Sequence, residues 1–159
     1  MIIYQKLIFV GDTDTCLAPM AAAIFHNGPL KEEMEVESRG LVALFPEPIN
    51  EKAEAVMINK GVPRFTHTAK QLEEEDLGER NLILAMTKKQ YVAVQDKFGE
   101  RENLFSLSSY IQAEEDVPDP YGKSLKDYAQ CVDILQEYIA ALEKKLDELD
   151  WKEVENELW

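Results

Sequence analysis

The feature that most constrains the fold is a regular alternation of short apolar segments with longer segments of helical periodicity. The apolar or strictly alternating segments span residues 7–10, 34–38, 82–85 and 104–107. Helical patterns lie between them, at residues 19–25, 50–60 and 87–98. Short continuous apolar strands that alternate with helices are typical of a parallel sheet with helices on both faces. We therefore expect a three-layer α/β/α fold with a four-stranded parallel sheet.

A long helix is expected at the C-terminal end, because residues 124–159 contain neither Gly nor Pro. Asp150 and Glu153 have the pattern of a new N-cap with a capping box, at which the helix would break and restart. We expect a domain at residues 1–146 and an acidic helical extension at residues 147–159. The apolar residues of this extension would pack on the domain, form a homodimer or bind a partner; they are Trp151, Val154, Leu158 and Trp159.

The charge of the chain excludes several classes of partner. A formal net charge of −14 opposes nucleic-acid binding, which needs Lys and Arg to displace phosphate counterions, and equally opposes anionic membrane surfaces. No apolar run is long enough to span a bilayer, and residues 1–10 have the pattern of a strand rather than a signal peptide. The two cysteines, Cys16 and Cys131, do not make a disulfide scaffold. We therefore expect a cytoplasmic protein.

The first strand runs directly into a helix through an unusual turn, in the stretch LIFVGDTDTCLAPM at residues 7–20. Such a turn commonly holds a phosphate, because the first N–H groups of the helix point at the anion. This turn has no Lys or Arg, and it carries two carboxylates, Asp12 and Asp14. The sequence therefore combines an anion-binding position with groups that repel anions.

Five segments of the chain carry a resemblance to a known family. They are the frame Phe9-Val10 with Cys16 and Pro19–Ala21, then VESRG at 36–40, HTAKQL at 67–72, LILAMT at 82–87 and DPYG at 119–122. In this order and spacing they resemble the low-molecular-weight protein tyrosine phosphatase family. The LAMT string and the DPYG loop look like its Gram-positive bacterial branch, which includes protein arginine phosphatases, and Thr15 matches a threonine associated there with arginine phosphate.

The resemblance implies a mechanism whose parts are mostly missing here. In the family a Cys thiolate attacks phosphorus, an Arg and loop N–H groups stabilise the phosphoryl group, a Ser steadies the thiolate, and an Asp protonates the leaving group. The corresponding positions in this chain are, in that order, Gly11, Leu17, Ala18 and Asp119, and the family's Gly-Asn pair is Thr13-Asp14. Only the general acid remains. The resemblance therefore implies a pseudophosphatase, a binding or regulatory module that needs no cofactor.

Three interpretations of the two aspartates stay open at this point. In the first, Asp12 or Asp14 caps the free N–H groups and closes the old phosphate cradle. In the second, Asp12, Asp14 and Asp119 converge on Mg²⁺ or Ca²⁺. In the third, the Asp-x-Asp-Thr string resembles the first motif of haloacid-dehalogenase-type phosphatases, in which Asp12 would be the nucleophile of an Mg²⁺-dependent enzyme. Residual tyrosine or arginine phosphatase activity is a further alternative.

The predicted binding surface is the acidic cleft at the C-terminal ends of the strands. Cys16 is expected to be a small buried residue at the helix start, and Arg39 either pairs with a nearby acid or reaches the cleft. Acidic residues 114–116 deepen the negative field over the cleft, so a protein or other cationic ligand is the expected partner. The candidate binding residues are Asp12, Thr13, Asp14, Thr15, Cys16, Arg39 and Tyr121.

Overall fold

The computed structural model describes residues 4–158, with side chains described over residues 4–148. Its strands form one parallel sheet in the order β2-β1-β3-β4. They are β1 (Lys6–Gly11), β2 (Glu35–Gly40), β3 (Asn81–Ala85) and β4 (Leu104–Ser106). The predicted four-stranded parallel sheet is therefore confirmed, although β4 ends one residue before the predicted strand does.

Helices cover both faces of the sheet, as predicted for a three-layer fold. They are α1 (Leu17–His26), α2 (Glu51–Asn59), α3 (Lys88–Phe98), α4 (Leu107–Tyr110) and α5 (Leu125–Leu158), with a 3₁₀ turn at Glu74–Leu77. Successive residues of β1 alternate between the two layers. Leu7 and Phe9 pack in the core with α1, α2 and α5, while Ile8 and Val10 pack with Val94 of α3.

The helix ends follow the local signals in the sequence. The Asn50 side chain accepts the N–H groups of Lys52 and Ala53 at the start of α2, as expected for an N-cap. Thr87 and Gln90 form a capping box at the start of α3. Gly99, with φ of +87°, ends α3 as predicted, because a left-handed residue stops a helix with little strain only when it is glycine.

The C-terminal helix α5 is a single element from Leu125 to Leu158. The predicted break at Asp150 is therefore wrong, because the helical backbone continues through it. Tyr128, Val132 and Leu135 on its inner face are fully buried against the sheet layer. Trp151, Val154 and Leu158 have side chains outside the described residues, as does Trp159. No helix in the described part of the chain has the length and apolarity needed to cross a membrane.

Candidate functional site

A cleft lies beyond the C-terminal end of β1, where ligands of open parallel sheets bind. Its volume is about 360 Å³. The β1–α1 loop, residues 11–18, forms its floor. Glu47, Gln90, Asp119 and Tyr121 complete the lining, each from a different part of the chain. The cleft therefore contains the two positions at which the resemblance places the missing nucleophile and the remaining general acid.

The backbone of the β1–α1 loop is fixed by the segment that follows β2. The N–H groups of Leu41 and Val42 donate to the carbonyls of Gly11 and Asp12, each at 2.9 Å, and Asn50 N–H donates to the Thr15 carbonyl at 2.8 Å. Gly40 packs directly against the loop, because a Cβ added there would lie 2.8 Å from the carbonyl carbon of Thr13. The loop shape therefore depends on contacts from outside the loop.

Asp14 turns away from the open cleft and into the protein. Its φ is +59°, a left-handed conformation that Asp and Asn tolerate better than most residues. The side chain is fully buried: Oδ2 accepts the Lys70 N–H at 2.9 Å. His67 Nε2 donates to the Asp14 carbonyl at 2.6 Å and lies 3.7 Å from Oδ2. Oδ1 has no hydrogen-bond partner among the described residues.

Burial raises the pKa of the Asp14 carboxyl, since the charged form loses its hydration. The nearby Ser38 hydroxyl, the Lys70 N–H and the positive charges of His67 and Arg39 oppose this rise only in part. Asp14 is therefore a structural side chain of the loop. His67, the first residue of the HTAKQL segment, holds the same residue in place.

Neither aspartate fills the anion cradle. No backbone N–H of residues 12–18 donates a hydrogen bond to another group in the described part of the chain. Helix α1 begins at Leu17 without a side-chain cap and without an acid in its first turn. The structure thus does not show the predicted self-capping by Asp12 or Asp14. The backbone N–H groups of this loop are therefore not occupied by other groups of the described residues.

The three positions that the resemblance assigns to the family's reactive groups carry no such groups here. Gly11, at the position that it assigns to the nucleophile, has no side chain. Leu17 and Ala18, at the positions that it assigns to the Arg and the Ser, are buried in the core around α1. Thr13 and Thr15 hydrogen bond to each other through their hydroxyls at 2.8 Å, so they stiffen the loop. A bound phosphate would find backbone donors here but no guanidinium and no thiolate.

The carboxylates around the cleft come from three separate segments. Asp12, Glu47 and Asp119 all line it, and the described lining includes no Lys, Arg or His. Asp119 is exposed, and its Oδ1 accepts the Tyr121 N–H at 3.0 Å. Glu47 was not identified from the sequence. Its position between two prolines, after the C-terminal end of β2, was a usable signal, because that end of the sheet carries the site.

Cys16 does not replace the missing nucleophile. It is buried, and burial together with the negative charge of Asp119 raises the pKa of its thiol to about 12. The pKa of Cys131 is raised to about 12 by the same causes and by Cys16 itself. A thiol with such a pKa contains almost no thiolate at neutral pH, and only the thiolate attacks phosphorus. The prediction that Cys16 is a small buried residue at the helix start agrees with this geometry.

Arg39 does not line the cleft. Its guanidinium donates to the Glu37 carboxylate at 3.0 Å, the Asp76 carboxylate at 3.2 Å and the Ser38 carbonyl at 2.8 Å. The interpretation in which Arg39 pairs with nearby acids fits these contacts, while reach into the cleft does not. The three carboxylates proposed for a metal are also not brought together, because Asp14 faces Lys70. Within the described residues, no group of three or more His, Cys, Asp or Glu side chains is arranged to hold a metal ion.

Comparison with known proteins places these observations in a family. The family model "Low molecular weight phosphotyrosine protein phosphatase" matches residues 6–152. A protein-arginine-phosphatase of Bacillus subtilis is 33% identical over 148 residues, covering 89% of this chain and 97% of its own. The low molecular weight protein-tyrosine-phosphatase PtpB of Staphylococcus haemolyticus is 29% identical, covering 87% and 97%. The YwlE arginine phosphatase structure from Geobacillus stearothermophilus superposes with a TM-score of 0.85 at 28% identity, covering 93% and 96%.

Proposed function

The chain belongs to the low molecular weight phosphotyrosine protein phosphatase family, and we propose that it is a pseudophosphatase that binds a partner through its cleft. The observation that carries this proposal is the combination at one site of Gly11, Leu17 and Ala18 where the family has Cys, Arg and Ser. The relatives are named as phosphatases. The proposal is therefore that this chain has kept their fold and lost the catalytic side chains.

Because these groups are missing, the reaction cannot proceed by the family's mechanism at all, rather than proceeding at a lower rate. Without a thiolate no phosphocysteine intermediate forms, and the remaining thiol, Cys16, is buried with its pKa raised to about 12. A phosphate dianion in the cleft would face Asp12 and Asp119 instead of a guanidinium. Two unit charges of like sign 4 Å apart repel by about 4 kcal/mol at an effective dielectric constant of 20. A general acid such as Asp119 protonates a leaving group only while a nucleophile displaces it. Without a nucleophile, Asp119 has no such step to assist.

The same charges favour a cationic group in the cleft. Asp12, Glu47 and Asp119 line the cleft from three segments, and a guanidinium can donate to two carboxylates at once through its planar fork. Two of the relatives are named protein-arginine-phosphatases, so the side chain presented to those enzymes is an arginine. We infer that this cleft accepts an unphosphorylated basic side chain of a protein, with no metal and no other cofactor.

The proposed setting is the cytoplasm. Cys16 and Cys131 are both free thiols, and proteins of reducing compartments keep their thiols unpaired. Nucleic acid is not a proposed partner, because the net charge of −14 repels phosphate backbones.

Hydrolysis of para-nitrophenyl phosphate by purified protein tests the proposal. The wild-type chain, Asp12→Asn and Asp119→Ala are each assayed with MgCl₂ and with EDTA, beside an active phosphatase of the same family. We expect no turnover above buffer in any arm. Turnover that needs both Mg²⁺ and Asp12 would instead establish a metal-dependent phosphatase. Metal-independent turnover that disappears in Asp119→Ala would establish residual activity of the family type.

A further inference from the structure

Three large apolar side chains are exposed beside the cleft, within four consecutive residues. Val42 is 57% exposed, Leu44 78% and Phe45 69%. We call residues 42–45 the apolar rim. Single exposed apolar residues are common on protein surfaces, but a contiguous group marks an interaction surface more often. The apolar rim therefore needs an explanation beyond its place in the fold.

The backbone beneath the apolar rim is held firmly. The Gln71 side chain bridges it on one side: its Nε2 donates to the Leu41 carbonyl, and its Oε1 accepts the Ala43 N–H at 2.7 Å. On the other side, Val42 N–H donates to the Asp12 carbonyl at 2.9 Å. These bonds hold the backbone of residues 41–43, and the Val42, Leu44 and Phe45 side chains are exposed from this segment.

The apolar rim adjoins the acidic cleft through its backbone, while the Leu44 and Phe45 side chains line a neighbouring groove with Gln71 and Arg39. Val42 is hydrogen bonded to the residue that carries the Asp12 carboxylate, and Glu47 follows Phe45 by two residues and lines the cleft. Tyr121 also lines the cleft and is 67% exposed. The cleft thus combines carboxylates with an exposed aromatic ring, and the segment beside it carries exposed apolar side chains, a combination that matches a basic side chain with apolar neighbours.

We propose that the apolar rim and the cleft together dock an extended segment of a partner protein, in which an arginine side chain enters the cleft and an adjacent apolar side chain packs on Leu44 and Phe45. The inference rests on the proposed function and names the partner chemistry of that same cleft. A guanidinium can pair with the carboxylates and stack on the Tyr121 ring, which a neutral side chain of the same shape cannot do. A second copy of this chain is a poor occupant, because each copy carries a net charge of −14.

Two fluorescent peptide pools test the inference by anisotropy. In the first, each peptide carries one central arginine between leucine, valine or phenylalanine residues; in the second, citrulline replaces the arginine, which removes the charge but keeps the shape. We expect the arginine pool to bind, and the citrulline pool to bind roughly tenfold more weakly, since a lost charge pair in such a site costs about 1.4 kcal/mol or more. Raising the salt concentration is expected to weaken only the arginine pool.

Variants of the protein separate the two parts of the surface. Phe45→Ser and Leu44→Ser are each expected to weaken the arginine pool roughly five- to tenfold, because truncating an anchor residue costs about 1 kcal/mol or more. Asp12→Asn and Glu47→Gln are expected to reduce the preference for arginine over citrulline. Val92→Ser is the matched control, since Val92 on α3 is 51% exposed but does not line the cleft; its affinity is expected to stay unchanged.

Four results would overturn the inference. They are no binding of either pool, equal binding of both pools, equal losses in Phe45→Ser and Val92→Ser, and a dimer in light scattering that Phe45→Ser dissociates. The last result would make the apolar rim a self-association surface. Failure of the proposed function is distinguishable, because it appears as phosphate turnover in the absence of any peptide. A chain that binds the arginine pool and also turns over phosphate would retain the docking surface and lose only the pseudophosphatase assignment.

Discussion

The two loops that line the cleft differ in what the resemblance assigns to them. The β1–α1 loop, residues 11–18, has backbone N–H groups at residues 12–18 that donate to no acceptor among the described residues. The positions assigned to the family's Cys, Arg and Ser carry Gly11, Leu17 and Ala18 there. The loop at residues 117–122 has Asp119 at the position assigned to the general acid, and Asp119 lines the cleft. The comparison teaches that the shape of a site and its chemistry depend on different residues.

The reason lies in what holds the first loop. Its shape comes from Gly40 packing against Thr13, from the N–H of Asn50 and from the buried carboxylate of Asp14. None of these contacts uses the side chain at position 11, 17 or 18 to build the loop. Substitution of the reactive positions could therefore remove the chemistry and leave the cradle in place.

Restoring the family's reactive side chains tests whether the shape of the loop is independent of these positions. It has the largest expected effect of the experiments, a gain of phosphatase activity. The variant combines Gly11→Cys, Leu17→Arg and Ala18→Ser with Asp12→Asn, and we expect it to hydrolyse para-nitrophenyl phosphate where the wild type does not. A Cβ at position 11 would lie 3.3 Å from the Ala18 Cβ, so the loop needs to adjust by only a few tenths of an ångström. Adding Asp119→Asn to this variant should lower turnover by about 10²- to 10⁴-fold, the usual contribution of a general acid.

The control for the restored variant keeps Gly11 and carries the other three changes. It should remain inactive, because the arginine and serine supply no nucleophile. A restored variant that is folded by circular dichroism but inactive would contradict the claim that the cradle survives in the wild-type loop.

Gly40→Ala tests the external support of the cradle. The added Cβ would lie 2.8 Å from the Thr13 carbonyl carbon and 2.9 Å from the Asp14 nitrogen, and backbone atoms cannot move aside as a flexible side chain can. We expect a loss of about 1–3 kcal/mol in the free energy of unfolding, typical of overpacking, measured by urea denaturation. Gly78→Ala is the matched control, since its Cβ would meet only the Glu75 carbonyl at 3.7 Å. Equal losses in the two variants would rule out a special role for Gly40.

The fold could be predicted from the sequence because it depends on repeated apolar patterns, which are local. The directions of the side chains within the β1–α1 loop could not be predicted from the sequence. Asp14 was a candidate metal ligand by its spacing from Asp12, yet its left-handed backbone turns the carboxylate inward to Lys70. Such a reversal depends on one φ angle and on a partner 56 residues away, and neither can be seen in a short motif.

Arg39 shows the opposite case, a signal that was present in the sequence. Residues two apart in a strand share a face, and β2 extends through Arg39, one residue beyond the segment predicted at residues 34–38. Glu37 and Arg39 therefore lie side by side. Their ion pair at 3.0 Å follows from that period. Glu47, in contrast, enters the cleft from an irregular segment, where no periodicity predicts the direction of a side chain. The predicted loop residues Asp12, Thr15, Asp119 and Tyr121 do line the cleft, because the ends of the strands mark where the site lies. The direction of each side chain on these loops was not predictable.

Asp14→Asn should stabilise the protein near pH 7, because it removes a buried negative charge and keeps the shape of the side chain. The folded-state pKa of Asp14 is raised by burial, so wild-type stability is highest below the unfolded pKa and falls as pH rises through the folded pKa. Asparagine keeps an oxygen for the Lys70 N–H, tolerates the left-handed φ and carries no charge. The gain should therefore shrink as pH is lowered towards 4. Chemical denaturation at a series of pH values measures this, with the exposed Asp12→Asn as control.

A gain of equal size at every pH would show that the charge of Asp14 has no part in the effect. A loss of stability near pH 7 would show that the attraction between the Asp14 carboxylate and its neighbours outweighs the cost of burying it. The shape of the β1–α1 loop would then depend on the negative charge of Asp14.

Arg39→Met is expected to have the smallest effect on the free energy of unfolding. It also tests whether Arg39 lies outside the cleft. The guanidinium is bound by Glu37 and Asp76 on a face of β2 outside the cleft. We expect a loss of about 1 kcal/mol or less, as for a partly exposed ion pair, and no change in affinity for the arginine peptide pool. Lys60→Met, which breaks a single surface pair with Asp133 at 2.8 Å, is the control for removing a positive charge and its ion pair far from the peptide. If Arg39 reached the cleft, its removal would relieve repulsion of the incoming arginine, and peptide affinity would rise in Arg39→Met but not in Lys60→Met.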